Sequence, residues 1–298
     1  LQSRGLGDVY KRQLYQMGIN RLSIGLQSTN DMELKTLGRI HSYEDFLNTY
    51  TWCREAGFQN INVDLMAALP YQIVESYTTG LRKIIRLAPE HISAYSLILE
   101  EGTPFYQKYN SGCYPLPDEE QERLMYRETE QILAQAGYER YEISNYAKKG
   151  YACRHNLVYW QGGDYLGLGL GSSSYMDGVR FHNTTDLDTY VNQGAYVEDR
   201  EELSVQAKME EFMFLGLRVM AGVSGTEFEK RFGKTMEDVY GDVLRKHEEE
   251  GLLQIERKED RKEAAAAEPA KGKTNIEKVM LTTKGVDVSN YVFADFLL

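Results

Sequence analysis

The chain has 298 residues, a net charge of -11 and a pI near 5.1. That length accommodates two domains with a sizeable core, and the acidity speaks against nucleic acid or an anionic membrane surface as main partner, because phosphate binding rests on clustered Lys and Arg. No run approaches 18 apolar residues and no secretory signal pattern opens the chain, so the expectation is a cytoplasmic protein without an integral membrane segment.

Residues 1–13 show neither strand alternation nor a helical stripe, and their wording resembles translated sequencing adapter, so they are expected to be a non-native leader. From 19 to 27, Leu22, Ile24 and Leu26 alternate with Ser23, Gly25 and Gln27, the period-two signature of a strand with one apolar face and one small, polar face. Ser42 then caps a helix carrying Phe46, Leu47, Tyr50 and Cys53 on one side, stopped by Gly57. Residues 60–66 alternate again, with Ile61, Val63 and Leu65 set against Asn60, Asn62 and Asp64. A helix over 75–87 and a strand over 91–99 repeat the unit. Strand and helix thus alternate three times at a spacing of about 35 residues, which calls for parallel strands joined by right-handed crossovers. In a barrel of this kind the outward faces pack under helices and the polar inward strand ends build the site, which is where Ser23, Gln27, Asn62 and Asp64 fall.

Pro117-Asp118 opens a long helix, with Asp118 and Gln121 at capping-box spacing and Gly137 at its end, and 138–144 reads as a further strand. Next comes Cys153-Arg154-His155-Asn156-Leu157-Val158-Tyr159-Trp160, followed by Gly163-Asp164-Tyr165-Leu166-Gly167-Leu168-Gly169-Leu170-Gly171. His155 offers a ring nitrogen to iron, Tyr159 and Trp160 suit the edge of a macrocycle, and the glycines let backbone approach closely. The combination suits a flat, apolar, iron-bearing ligand, although a histidine beside aromatics also reads as a satisfied core residue. The glycines are no dinucleotide fingerprint: the third falls one place early, and Ser173-Ser174-Tyr175 does not open an amphipathic helix.

Beyond residue 199, helices over 205–220 and 236–251, a turn over 221–226, a strand over 252–255 and a wing and last helix in 281–298 outline a small winged-helix-like domain. Residues 205–298 hold 15 basic and 18 acidic residues, a net of -3, which speaks against DNA. The charged, alanine-rich insertion 257–278 reads as a solvated loop rather than a site. Cys53, Cys113 and Cys153 stand 60 and 40 residues apart, so neither a disulfide framework nor a C-x-x-C knuckle is present.

The H-N-x-x-Y-W word at 155–160, preceded by C-R and followed by G-D-Y-L-G-x-G-x-G, resembles the HemW heme chaperones. These are a branch of the radical S-adenosylmethionine (SAM) proteins close to oxygen-independent coproporphyrinogen III oxidase. The resemblance runs from about Gly18 to the C-terminus and includes R-L-S-I-G-L-Q-S at 21–28, L-G-R-I-H-S at 37–42 and H-I-S-A-Y-S-L-I-L-E-E-G-T-P-F at 91–105. It implies an α/β fold: the last three strands of a partial (β/α)6 barrel over 14–145, a heme-motif connector over 146–204 and a HemN-type winged-helix-like domain over 205–298.

The resemblance further implies SAM contacts at Gln27 of the G-x-Q phrase, Arg39 of the L-x-R phrase and Asp64 of the N-x-D-L phrase. SAM presents a carboxylate, an ammonium, a ribose diol and an adenine, and these residues supply a cation, a carboxylate and an amide. On spacing alone Gln27 also reads as a strand end, Arg39 as a surface ion pair and Asp64 as a helix cap. Ala68 stands where the family commonly has glycine. Heme binding is implied at His155, Asn156, Tyr159 and Trp160, with His155 the axial ligand ahead of Cys153, and delivery of heme to apoproteins such as respiratory enzymes. The family's 4Fe-4S cluster sits on a C-x-x-x-C-x-x-C loop that has no match here. Two other functions stand beside the chaperone: decarboxylation of coproporphyrinogen III through hydrogen abstraction by a SAM-derived radical, and a non-catalytic winged-helix interaction protein. The H-N-x-x-Y-W word favours the chaperone.

Three barrel strands by themselves leave a parallel edge and part of an apolar core open to water, so the chain is expected to be poorly soluble and to bind a hydrophobic dye. A sharp, reversible thermal transition with little dye binding would overturn that expectation.

Overall fold

In the computed structural model the described residues are 7–194, 197–258 and 276–298. Two units divide the chain, Leu1–Ala152 and Cys153–Leu298. The first contains, in order, α1 (Gly7–Gln16), β1 (Leu22–Gln27), α2 (Asp31–Thr36), α3 (Tyr43–Glu55), β2 (Ile61–Ala67), α4 (Val74–Arg86), β3 (His91–Ser96), α5 (Pro104–Asn110), α6 (Glu119–Gln135), β4 (Glu139–Glu142) and β5 (Asn145–Ala147). Its sheet has the order β1-β2-β3-β5-β4, the first three strands parallel and the last two added antiparallel. The expected strand and helix repeats are therefore present.

Alternation along the strands explains the layering. Leu26, Ile61, Val63, Leu65, Ile92 and Ala94 turn one way and join Phe46, Tyr50 and Cys53 of α3, Leu81 and Ile84 of α4, and Ile132 and Leu133 of α6 in one core. Ser42 and Asp45 close a reciprocal capping box at the start of α3, and Asp118 accepts from the Gln121 N–H at the start of α6. Gly57, at φ +104°, ends α3 and leaves room for the Tyr15 ring, which a Cβ would approach to 3.1 Å.

Two expectations for this unit are corrected. Residues 1–13 were expected to lack a helical pattern, yet Gly7–Gln16 is helical. Its attachments are Tyr15, edge-on to Phe58 at 5.2 Å, Lys11, 4.9 Å over Trp52, and a single aliphatic contact from Leu14 to the core, too few for spacing to reveal a stripe. The strand expected over 138–144 is shorter, covering Glu139–Glu142. The chain reverses between β4 and β5 because the buried Glu142 carboxylate accepts from the Ser144 N–H and the Asn145 amide, a polar turn without glycine or proline.

The second unit contains α7 (Arg154–Trp160), β6 (Ser173–Met176), β7 (Val179–Asn183), α8 (Leu187–Gln193), β8 (Val197–Glu202), α9 (Val205–Gly216), β9 (Val223–Ser224), α10 (Gly225–Phe232), α11 (Met236–Glu249), β10 (Leu253–Arg257), β11 (Ile276–Leu281), α12 (Thr283–Asp287) and α13 (Ser289–Ala294). Strands β6-β7-β8 form an antiparallel meander, and β10-β11-β9 form the small sheet of the winged-helix-like part. Met213, Leu217, Phe228, Tyr240, Leu244, Val279 and Phe296 make its core. The expected turn over 221–226 is instead β9 leading into α10, whose signal was Ser224 accepting from the Glu227 N–H. Gly225 is needed there, since a Cβ would sit 2.0 Å from the Ile276 carbonyl. Of the insertion 257–278, residues 259–275 lie outside the described residues. Among the described residues no helix is long and apolar enough to cross a membrane.

Arg54 ties the first unit together. Its guanidinium donates to both Glu90 carboxylate oxygens at 2.9 and 3.0 Å and to the Phe58 carbonyl, while Glu90 also accepts the Ile61 N–H at 3.0 Å. The Glu90 side chain is 12% exposed, so the pair is well shielded. Glu90→Ala is expected to destabilise the protein by about 2 kcal/mol or more, because it leaves a shielded guanidinium and an N–H unpaired. Urea unfolding checks this, and a loss within about 0.5 kcal/mol would put the pair in the class of surface ion pairs.

Candidate functional site

The strand face opposite the core of the first unit is polar and tightly connected. Asn62, almost fully buried, donates from Nδ2 to Ser23 Oγ and Asp64 Oδ1, both at 2.6 Å. Its Oδ1 accepts from Ser93 Oγ at 3.1 Å and from His91 Nδ1 at 2.7 Å. An amide oxygen only accepts, so His91 carries its proton on Nδ1, and Nε2 accepts from the Tyr141 hydroxyl at 2.9 Å. Burial, then the charge of Arg21, pushes the His91 pKa down to about 3, so the ring is neutral at physiological pH.

Gln27 ends β1 at φ +72°, where the pairing with β2 is irregular, and its Oε1 accepts from the Tyr95 hydroxyl at 3.1 Å. Gly25 is glycine for a local reason: a Cβ would lie 2.9 Å from Gln27 Nε2 and push the amide aside. Burial raises the pKa of the Tyr95 hydroxyl, the charge of Asp64 raises it further, and Arg39 lowers it. Gln27, Arg39 and Asp64, distant in sequence, therefore converge on one phenol. Arg39 is exposed and makes no ion pair among the described residues, and Asp64 lies within a strand rather than at a helix cap. Arg39 follows α2, which is anchored through buried Glu33; that carboxylate accepts from Ser28 Oγ at 2.5 Å, Gln72 Nε2 at 2.9 Å and Ser76 Oγ at 3.0 Å. A cation, a carboxylate and an amide beside a tyrosine match the polar ends of an amino-acid nucleoside such as SAM.

Ala68 adopts φ +56° in a buried position. That is the left-handed region in which glycine costs nothing and alanine is strained, which is the physical sense of a glycine there. Among the described residues no three His, Cys, Asp or Glu side chains are grouped to hold a metal ion. Cys53 is in the core, Cys113 is exposed, and Cys153 is the residue before α7. A 4Fe-4S cluster does not fit these residues.

In the second unit, α7 carries the H-N-x-x-Y-W word. His155 is exposed, not a core residue, and its Nε2 lies 2.9 Å from the Tyr159 hydroxyl one helical turn on. Tyr159 packs edge-on against Tyr165 at 4.5 Å, and Tyr165 in turn meets Tyr175 at 6.3 Å across a backbone bridge. Because Nε2 engages the Tyr159 hydroxyl, Nδ1 is the ring nitrogen left to face a metal. Trp160 is not part of this ladder. Its ring lies 4.4 Å from the Arg218 guanidinium, its buried Nε1 has no hydrogen-bond partner among the described residues, and it lines a cavity of about 270 Å³ with Phe212, Val223 and Arg231. Asn156 is half-buried with no side-chain hydrogen bond among the described residues. The structure thus brings His155 and Tyr159 together and sets Trp160 apart. Tyr95, His91, Tyr165 and Tyr175 are the residues that sequence reasoning missed; the first two continue the polar alternation on β3, with Ser93 between them.

Residues 203–259 match the family model of the HemN C-terminal domain. The heme chaperone HemW of Lactococcus lactis subsp. lactis is 34% identical over 296 residues, 98% of this chain and 73% of the relative. The heme chaperone HemW of Bacillus subtilis is 37% identical over 244 residues, 80% of this chain and 64% of the relative. The mitochondrial radical S-adenosyl methionine domain-containing protein 1 of Bos taurus is 35% identical, with 80% and 58% covered. The chain therefore spans nearly three quarters of the first of these relatives and less than two thirds of the other two. Among solved structures, Escherichia coli coproporphyrinogen III oxidase (HemN), a radical SAM enzyme, aligns with a TM-score of 0.77 at 20% identity, covering 99% of this chain and 68% of that one. At that identity the likeness is one of fold.

The depressed pKa of His91 sets a pH dependence. The unfolded chain binds a proton at this residue near pH 6.5 and the folded unit only near pH 3, so its contribution is complete above about pH 6.5 and is lost as pH falls toward 3. The loss amounts to at most about 5 kcal/mol over that window. Denaturant midpoints measured against pH are expected to show it, and His91→Gln is expected to flatten the slope. An unchanged slope in that variant would mean that His91 is not buried neutral.

Proposed function

The chain belongs to the HemW heme chaperone family, and from that membership we propose that it binds heme at the His155 face of α7 and passes it to apoproteins such as respiratory enzymes in the cytoplasm. The observation that carries this reading is the exposed imidazole of His155, oriented by Tyr159 and flanked by an aromatic ladder. An imidazole with its far nitrogen hydrogen-bonded is a competent axial ligand for heme iron. Tyr159 and Tyr165 supply apolar ring surface beside it, and Trp160 seats the helix from the opposite side, under Arg218. Asn156 and Cys153 adjoin the histidine on the same short helix, Cys153 as the less favoured ligand.

Gln27, Arg39 and Asp64 are proposed to hold SAM in the first unit. Arg39 pairs with its carboxylate, Asp64 accepts from its ribose hydroxyls or ammonium, and Gln27 supplies amide hydrogen bonds, with Tyr95 fixing the Gln27 oxygen. Bound SAM supplies radical SAM proteins with a carbon-centred radical once it receives an electron. The residues described here bind and orient it. Asn62 holds Asp64 in place, and His91, neutral, holds Asn62. Fold likeness to an oxidase carries no activity across, and membership of the heme chaperone family supports the chaperone reading over the oxidase.

Hemin titrated into the protein is expected to give a histidine-ligated Soret band that His155→Ala shifts and weakens. Identical spectra for the two proteins would remove His155 as ligand. Asp64→Asn is expected to lower SAM affinity about tenfold by calorimetry, the loss of one charge-assisted hydrogen bond; unchanged affinity would move the SAM site elsewhere.

A further inference from the structure

Residues Tyr165 to Leu170 alternate in burial, but in the reverse of the usual sense. Leu166, Leu168 and Leu170 are 62%, 85% and 45% exposed, while Tyr165, Gly167 and Gly169 between them are half-buried. An ordinary surface segment turns its leucines inward and its small residues out. We propose that these three leucines form an apolar ledge that covers one face of the heme held at His155, an inference that rests on the heme reading above.

The ledge is built rather than loose. Tyr165 and Tyr175 exchange backbone hydrogen bonds at 2.7 and 2.9 Å, and the Gly167 N–H donates to Ser174 Oγ at 2.9 Å. The Gly169 carbonyl accepts from Asn183 Nδ2 at 2.9 Å and Ser172 Oγ at 2.8 Å, and the Gly171 N–H donates to the Thr184 carbonyl at 2.9 Å. Ser174, Asn183 and Thr184 are themselves buried, so the segment is fastened to the body of the unit. Gly167 is required for this seat: a Cβ would stand 2.3 Å from the Ser173 carbonyl oxygen. The backbone thus lies down on its glycine side and holds its leucines toward water.

Three features select a heme face as the occupant. The segment starts at Tyr165, whose ring packs against Tyr159, the partner of the candidate iron ligand, so the ledge begins two ring contacts from His155. It carries no charged side chain from Tyr165 to Gly171. Glycines between the leucines leave no socket for a protruding side chain, which suits a flat ligand better than the anchor residue of a protein partner.

The test is hemin titration of the whole chain as wild type, as the double variant Leu166→Asn/Leu168→Asn, and as Leu168→Met. The leucines are exposed, so all three are expected to fold alike, checked by circular dichroism and thermal midpoint. The double variant is expected to raise the hemin Kd about a hundredfold, roughly tenfold for each leucine face lost, while the Soret position stays that of the wild type. Leu168→Met, which keeps an apolar face, is expected to bind as wild type does. A double variant with wild-type affinity overturns the ledge while leaving His155 in place. A double variant that keeps hemin affinity but no longer hands heme to an apoprotein overturns it too, and gives the leucines to a protein partner. Failure of the wild type to bind hemin, or a His155→Ala spectrum identical to it, breaks the heme reading itself and the ledge with it.

Discussion

A buried primary amide offers two donors and two lone pairs, and each must find a partner when water is excluded. Asn62 satisfies all four on three strands: Ser23 from β1, Asp64 on its own strand, and His91 and Ser93 from β3. That one residue joins the polar faces of β1, β2 and β3. A slip of one position in any strand would put an apolar side chain against the amide and turn a polar one into the core, so the network locks the strand register as firmly as the core does. It also makes His91 neutral by burying it, which removes a cation from the strand face and leaves Arg39 and Asp64 as the charged groups acting on Tyr95.

In the second unit the corresponding constraint is the division of α7 into two faces. Tyr159 follows His155 by four residues, which returns it to the same face one turn on. Trp160 follows by five and comes around toward α9. One side of a seven-residue helix is thereby anchored under Arg218 while the other presents an imidazole to water. The glycine-rich segment after it repeats this arrangement in extended form, with its glycine side held down and its leucine side free. Both elements are short, and both owe their exposure to being fixed from behind.

Much of this was legible in the sequence. Period-two alternation located β1 and β2 and separated Gln27 and Asp64 from the core side chains beside them, and Ser42 and Asp118 marked their helix starts by capping chemistry. The convergence of Gln27, Arg39 and Asp64 was carried by the family phrases and not by spacing, because it depends on the closing of β1 against β2 and on the buried anchor at Glu33. His91, Ser93 and Tyr95 alternate with Ile92 and Ala94 as plainly as the earlier strands do, and extending the pattern would have found them. Other features had no local signal. The β4–β5 reversal rests on a buried glutamate, α1 on aromatic contacts, and the inward turn of Trp160 on a helix whose extent the word itself does not declare.

The shape of the heme candidate site bears on what the protein does with its ligand. A resident prosthetic group is commonly enclosed in a pocket that buries most of its surface. Here the candidate ligand is a single exposed imidazole on a short helix, with tyrosine rings on one side and a shallow aliphatic ledge beyond. Such a site gains affinity from one coordinate bond and one apolar face, and leaves the other face of the disc in reach of an acceptor. Because affinity differences within one kind of site appear mostly in the rate of release, a one-sided site favours short residence. Preorganisation offsets part of that loss: Tyr159 holds the histidine ring, and the backbone of the ledge is already fastened. A carrier needs this balance, because it must capture a scarce, poorly soluble ligand and still yield it to a protein that encloses it fully.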